Sequence, residues 1–223
     1  HSPKKTVQCP CCGWSGPLFL TLDCGQFTVP MVECPRCGGH ERHRALYLFL
    51  KEHHPEFAAR GGTVLHFAPE KHVRALLEEN PARTIVSVDY ARDAIASHPT
   101  PKFQTDMLAI GLATESVDLI FCLHVLEHVP DDRKGVGEMY RVLKPGGSAY
   151  IMVPYIWEGP YTIEYGKPDP TIFDHVRGYS PHDFGERLAP FVHEEIAPKS
   201  YLTPEERARY RVPDNQIIYR CTK

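Results

Sequence analysis

A doubly wound α/β sheet, preceded by a small cysteine-rich module, is the fold class this sequence predicts. Three observations carry it. Residues 117–154, VDLIFCLHVLEHVPDDRKGVGEMYRVLKPGGSAYIMVP, read as strand, helix and strand. Two further short apolar runs, TVLHFA at 63–68 and TIVSVDY at 84–90, stand upstream at the spacing of βα repeats. Two Cys-x-x-Cys pairs crowd the N-terminal end. Apolar runs this short suit buried parallel strands, and helical segments between them make the crossovers.

Composition bounds what the chain can be. With 223 residues and 42% hydrophobic content it can bury one good core and a satellite module. No run of about 18 apolar residues occurs, so no membrane span is expected. Lys4 and Lys5 are followed by Cys, Pro and Gly instead of an apolar stretch, so no secretion leader is expected. A formal net charge of -3 gives no general pull towards nucleic acid. Of the 8 cysteines, Cys122 and Cys221 stand alone while Cys9, Cys11, Cys12, Cys24, Cys34 and Cys37 cluster. Such clustering favours metal binding over disulfides, and with it a reducing, cytoplasmic setting.

Residues 1–41 form the first module. Cys9-Pro-Cys-Cys12-Gly13 and Cys34-Pro-Arg-Cys37-Gly38 are near-copies. Two-residue spacing lets one tight turn present both thiolates to one ion, and the following glycine permits the left-handed conformation that the turn needs. Cys9, Cys12, Cys34 and Cys37 would then close a tetrahedral, structural Zn2+ site in a zinc ribbon; reduced core cysteines are the alternative. Cys11 and Cys24 read as bystanders, and His40 or His43 as substitute ligands. The intervening segment carries β-prone pieces around Asp23-Cys24-Gly25, suiting a hairpin. Charge balance is only mildly positive (Lys4, Lys5, Arg36, Arg42 and Arg44 against Asp23, Glu33 and Glu41), which favours a structural or substrate-covering role. Residues 42–61 read as a linking helix, with Leu46, Phe49 and Leu50 at helical spacing, and a linker.

Residues 62–223 form the second domain. After the strand at 63–68, Pro69-Glu70-Lys71 opens a helix to about residue 80. Asp89 closes the second strand at the position where a Rossmann-type sheet sets a carboxylate against a ribose diol; capping of the next helix near Arg92 is the alternative. A third strand at 102–104 leads to Asp106 and Met107, where a carboxylate can accept an adenine amine and a thioether can cover the ring, unless Asp106 only caps its loop. The fourth strand begins at Val117. Pro130 and Asp131 start the helix after it, and Lys144-Pro145-Gly146-Gly147 ends that helix. Cys122, in an apolar strand end, reads as a core thiol. Strands near 191–196 and 217–221 complete the sheet.

The order LHFAPE, SVDY, TDM, SVDLIFCLHVLEHVPD and RVLKPGG resembles a class I S-adenosylmethionine-dependent methyltransferase of the "methyltransferase domain 11" type, over residues 62–154. The resemblance implies a seven-stranded Rossmann-like sheet with helices on both faces and an antiparallel last pair. Carried over residue by residue, Asp89 binds the ribose hydroxyls of S-adenosylmethionine, and Tyr90 beside it is a further cofactor-binding candidate. Asp106 and Met107 take the adenine, and Leu123 with His124 lies beside the methionine part. Phe67, Ala68 and Glu70 stand where the family has its glycine-rich first turn. Here the glycines are absent, and Pro69 removes an amide donor. The N-terminal ribbon with ERHR is also similar to a bacterial subfamily of such enzymes.

The acceptor side follows the fifth strand. A long Tyr-, Pro- and Gly-rich connection at about 155–179 reads as a lid over the carboxyl end of the sheet, with Tyr155, Trp157, Tyr161 and Tyr165 as aromatic surface or as its packing. A helix is expected at 180–188, capped by Ser180. Before it, His175 is a candidate base, Arg177 a candidate bidentate holder of an anionic acceptor, and Tyr179 a further catalytic candidate; an internal salt-bridged turn is the alternative. His124 and His128 are the other candidate bases, with either Glu127 or His128 lining the pocket. The leading reading is methyl transfer to O, N or S of a small polar acceptor. Its rivals are an RNA or protein acceptor docked by the ribbon, and a non-catalytic zinc-binding partner protein.

Overall fold

The computed structural model describes residues 6–25, 27–90, 102–155 and 158–223; Lys4, Lys5, Arg92 and Trp157 lie outside them. The chain divides into two compact units. One combines His1–Ala59, Lys71–Glu79 and Ile196–Ile217; the other combines Arg60–Glu70, Asn80–Glu195 and Ile218–Lys223.

In the first unit, β1 (Val7–Gln8) pairs antiparallel with β2 (Ser15–Gly16), and β3 (Leu20–Asp23) with β4 (Thr28–Glu33). The expected hairpin around Cys24 is therefore present, with Asp23 Oδ1 accepting from the Gly25 amide at 2.9 Å. Both cysteine turns use the same pair of backbone bonds. Cys9 N donates to Trp14 O and Gly13 N to Cys9 O; Cys34 N donates to Gly39 O and Gly38 N to Cys34 O. Gly13 and Gly38 sit at φ of 73° and 68°, where a side chain would be strained. Then comes α1 (Glu41–Leu48), which relaxes into a π-helical turn over Phe49–His53. Its Arg44 is fully buried and donates to the carbonyls of Val32, Gly39, Tyr210 and Arg211. One guanidinium thus ties β4, the second cysteine turn and the end of the helix Pro204–Tyr210 together. Short α2 (Glu56–Ala59) and α3 (Lys71–Glu78) complete this unit's share of the first half of the chain.

The second unit is built on a seven-stranded sheet. Its strands are β5 (Gly62–Phe67), β6 (Arg83–Asp89), β7 (Lys102–Gln104), β8 (Val117–Leu123), β9 (Leu143–Met152), β12 (Val192–Ile196) and β13 (Ile218–Thr222), in the order β12-β13-β9-β8-β5-β6-β7. From β7 to β9 the pairs are parallel, and β13 runs antiparallel to β9. Among β8 residues only Asp118 is not fully buried, as expected for a central strand covered on both faces. Strand order reverses between β5 and β8, which opens a crevice at their carboxyl ends. The helix after β8 is α4 (Asp132–Val142), whose N-cap Asp131 accepts from the Lys134 amide.

Three expectations are corrected. The Lys144–Gly147 turn is absorbed into β9, with a register shift against β8 between Val117 and Leu119. The lid, read as an irregular connection, contains an antiparallel ribbon, β10 (Ile163–Asp169) with β11 (His175–Gly178). The helix at 180–188 shrinks to one turn, α5 (Phe184–Arg187). Asp183 there bonds Thr162, and Ser180 Oγ donates to Gly159 O while accepting from the His182 amide, so neither continues a longer helix.

At the amino end of the sheet, Asp118 bonds the Lys144 ammonium at 2.8 Å and the Thr63 amide at 2.8 Å. Burial alone would raise the Asp118 pKa, but Lys144, the Thr63 amide and Arg60 hold it below the ordinary 3.8. The folded state therefore favours the carboxylate, and that stability is lost as pH falls. Asp118→Asn is expected to lower the urea midpoint at pH 7 by the equivalent of up to about 1 kcal/mol, the size of a solvent-screened pair. The gap between the two proteins should close as pH drops below 3.8; a gap that stays constant with pH would rule out the ion pair as its source.

Candidate functional site

A cavity of about 410 Å³ opens at the carboxyl ends of β5, β6 and β8. Phe67 and Ala68 form its β5 edge, Val88, Asp89 and Tyr90 its β6 edge, and Thr105, Asp106, Met107 and Leu108 the side beyond β7. His124, Val125, His128, Val129 and Pro130 supply the wall after β8. Of the candidates from sequence, Phe67, Ala68, Asp89, Tyr90, Asp106, Met107, His124 and His128 therefore meet in one space. Glu70 and Leu123 do not line it. Leu123 is only 3% exposed and belongs to the core.

The missing glycines have a structural substitute. Ala68 takes φ of 41°, the left-handed region that glycine favours, while its amide still bonds Val88 O at 2.9 Å. The first turn thus bends as a glycine turn would, with a methyl group as its only side chain. His124 does the same after β8, with φ of 52° and its amide on Met152 O. Asp89 is half-buried at the end of β6, and its carbonyl accepts from the Thr105 amide at 3.0 Å, which pins the β7 exit against the same edge. Asp106 does cap its loop, with Oδ1 accepting from the Leu108 amide, and it also faces the cavity. Met107 is 5% exposed and packs where Gly135 of α4 leaves room for it. These acceptors and surfaces fit a nucleoside: a strand-end carboxylate for a diol, an apolar sulfur surface and a second carboxylate for a ring amine.

Around the β8 exit the polar groups are dense. Glu127 is 1% exposed, and its Oε1 lies 3.8 Å from His124 Nδ1 and 3.9 Å from His128 Nε2. His175 reaches in from β11, its ring edge-on to His128 with centroids 4.8 Å apart. Burial pushes the His128 imidazole down, and burial together with His128 pushes His175 down to about 4. His175 does not line the cavity; it stands behind His128.

Arg177, the candidate acceptor holder, and Tyr179, the further catalytic candidate, have internal partners instead. Arg177 is 3% exposed and its Nη1 and Nη2 donate to the carbonyls of Leu126, Val129 and Pro130, its Nε to Glu164. Tyr179 is fully buried and donates to Asp132 Oδ2 at 2.8 Å, an oxygen that Arg187 also reaches at 2.8 Å. These donors are turned to main-chain carbonyls and internal carboxylates, so the internal salt-bridged turn is what the structure contains. Tyr155 likewise bonds the Tyr219 hydroxyl. Cys122 is fully buried, and burial pushes its thiol well above the ordinary range, as fits a core thiol.

Sequence reasoning missed Val88, Thr105, Leu108, Val125, Val129 and Pro130. Each lies within two residues of a named candidate at a strand exit. The rule that sites gather beyond carboxyl ends was available to find them.

In the first unit the four cysteines converge. All four sulfurs lie within 4.8 Å of one another, with Cys9 to Cys37 and Cys12 to Cys34 both at 3.7 Å. Zinc–sulfur bonds of about 2.3 Å at tetrahedral corners put sulfurs about 3.8 Å apart, so the donor set fits that ion. A hydrogen bond from the Cys9 thiol to the Cys11 side chain and burial push the Cys9 thiol up, and burial does the same to Cys37. Gathering four thiolates here therefore calls for a cation. Cys11 packs beside the cluster without joining it, as expected of a bystander.

Comparison with known proteins agrees with this geometry. Residues 67–151 match the family described as "Methyltransferase domain". A Mycobacterium tuberculosis protein named a probable S-adenosylmethionine-dependent methyltransferase is 28% identical over 151 residues, covering 65% of this chain and 52% of that one. The chain thus spans about half the length of the curated relatives it matches. An S-adenosylmethionine-dependent methyltransferase from Mesorhizobium loti superposes with a TM-score of 0.56 at 16% identity, over 80% of this chain and 98% of that one. One from Archaeoglobus fulgidus gives 0.56 at 14% identity, over 84% and 96%. At these identities the structures speak for the fold alone. Residues 67–151 thus match a methyltransferase domain, and the sheet order and the strand-end cavity agree with that match.

Proposed function

We propose that the protein transfers a methyl group from S-adenosylmethionine to an oxygen, nitrogen or sulfur atom of a small polar acceptor, and that its four-cysteine turns hold a structural zinc ion. The observation that carries the reading is the cavity, with Asp89 at the β6 edge and Asp106 and Met107 beside it. When bound, S-adenosylmethionine supplies a methyl group on a sulfonium whose thioether leaves readily, so the barrier falls chiefly through alignment. The protein's part is therefore to bind and orient. Asp89 offers two oxygens to vicinal hydroxyls; Met107 gives an apolar face and Asp106 an acceptor for a ring amine. Ala68 brings the β5 turn close without a bulky side chain. His124 and His128 form the polar wall towards the lid, where an acceptor would be held.

A small acceptor is favoured over nucleic acid by the net charge of -3 and by the enclosed scale of the cavity, about 410 Å³, within the range of single small-molecule sites. The cysteine turns, with Arg44 behind them, support the zinc reading through their sulfur spacing.

Calorimetric titration of S-adenosylhomocysteine tests the cofactor site. The intact protein is expected to bind it, and Asp89→Ala to weaken binding at least about tenfold, the cost of lost charge-assisted hydrogen bonds to a diol. Equal affinity in the two proteins would sink the assignment of Asp89. For the metal, thiol modification in the presence of a zinc-sensitive dye should release one equivalent per chain, and Cys34→Ser should release far less. Protein purified from zinc-supplemented medium that yields none would overturn the zinc reading.

A further inference from the structure

We infer that Glu127, His128 and His175 form a second metal site, for a first-row divalent transition-metal ion, on the acceptor side of the cavity. Each offers one ligand atom, and these atoms all lie within 4.8 Å of one another. Nitrogen and carboxylate oxygen bond such ions at about 2.0–2.2 Å, which sets neighbouring ligand atoms about 3 Å apart. Small side-chain rotations close that difference.

The donors are held in place before any ion arrives. Glu127 and His128 lie on one short turn, Leu126–His128, and His175 lies on β11. Arg177, two residues beyond His175 on the same strand, donates to the carbonyls of Leu126 and Val129, on either side of Glu127 and His128. The relation between the two elements is therefore fixed by a buried guanidinium. His175 is 6% exposed, and its Nδ1 has no hydrogen-bond partner. A buried nitrogen left so is unfavourable, and a cation on that nitrogen would satisfy it. Phe173 and Asp174 both take left-handed φ, at 62° and 59°, and deliver His175 into this place. Backbone strain of that kind persists where surrounding structure over-determines it.

Two imidazoles and one carboxylate differ from the thiolate site in the first unit. They suit ions such as Mn2+ or Fe2+, and three protein ligands leave coordination positions open. The open side is towards the cavity, because His128 lines it with its side chain 42% exposed. Resting on the methyltransferase reading for its use, the ion would hold an acceptor that brings its own oxygen ligand, a hydroxyl or carboxylate, beside the methyl donor. His124 Nδ1 lies beside this group, 3.8 Å from Glu127 Oε1.

The test is titration of Mn2+ into the zinc-loaded full-length chain, following the electron paramagnetic resonance of free Mn2+, with S-adenosylhomocysteine titrated in parallel. One Mn2+ per chain is expected beyond the zinc, with affinity reduced about tenfold or more in Glu127→Gln and in His175→Gln while zinc content stays unchanged. The half-exposed His128→Ala should weaken binding as well, and as a surface-side truncation it guards against loss of fold in the buried variants. An intact protein that leaves the Mn2+ signal unaltered at millimolar ion overturns the site, as does equal binding by all variants. S-adenosylhomocysteine binding without Mn2+ binding overturns the metal site alone. Mn2+ binding lost in the variants, without S-adenosylhomocysteine binding, upholds the metal site and counts against the methyltransferase reading instead.

Discussion

The guanidinium of Arg177 is the interaction on which the geometry of the cavity depends. Chain leaving β8 must turn sharply before α4, and that turn gathers the carbonyls of Leu126, Val129 and Pro130 around one guanidinium, Leu126 O also accepting from the Val129 amide. Arg177 donates to all three. Its planar fork suits several acceptors at once, as a lysine ammonium would not. Its charge is answered by Glu164 at 3.0 Å and, further off, by Asp132 at 3.6 Å. A buried charge without such partners would cost several kcal/mol; with them it fixes one arrangement of the turn. The wall made by His124 and His128 and the entry of α4 through Asp132 are both set by this contact. So is the docking of the lid ribbon, because Arg177 belongs to β11.

The two ends of β8 divide the labour of the sheet. At the amino end charge is spent on register: Asp118 bonds Lys144 and the Thr63 amide, while Arg60 reaches Ser148 and Gly146. Gly62 sits at φ of 99°, and a side chain there would collide with the Asp118 carboxylate. A register slip between β8 and its neighbours would separate these pairs, so they select the alignment that brings Phe67, Val88 and Leu123 to a common edge. At the carboxyl end charge is left for a ligand.

How far this was legible in the sequence follows from how local each instruction is. Each cysteine turn is encoded within five residues, spacing and glycine together, and two copies within thirty positions define four corners. Asp89 was legible because strand and carboxylate adjoin. Arg177 was left between two readings because its partners stand 47 to 51 positions away, and an ionisable run before a serine and a proline looks the same whether it faces ligand or main chain. The helix at 180–188 was overextended for a similar reason: Asp183, a good local helix-start residue, bonds Thr162 on the other side of the lid. Glu127 and His175, 48 positions apart, meet only because β11 folds back onto the β8 turn.

Backbone strain ties these pieces together. Among the described residues seven non-glycine positions take left-handed φ, and four of them border the site: Ala68, His124, Phe173 and Asp174. Each costs about 1–2 kcal/mol relative to ordinary backbone. Three of these residues are also held by main-chain bonds, from Ala68 N to Val88 O, from His124 N to Met152 O and from Asp174 N to Asp169 O. Glycine at the same places would lower the strain but widen the range of accessible conformations. A turn made of alanine and histidine is held by its neighbours, and it presents one geometry. The glycine-poor first turn therefore reaches the same left-handed bend by a stiffer route, with alanine in place of glycine.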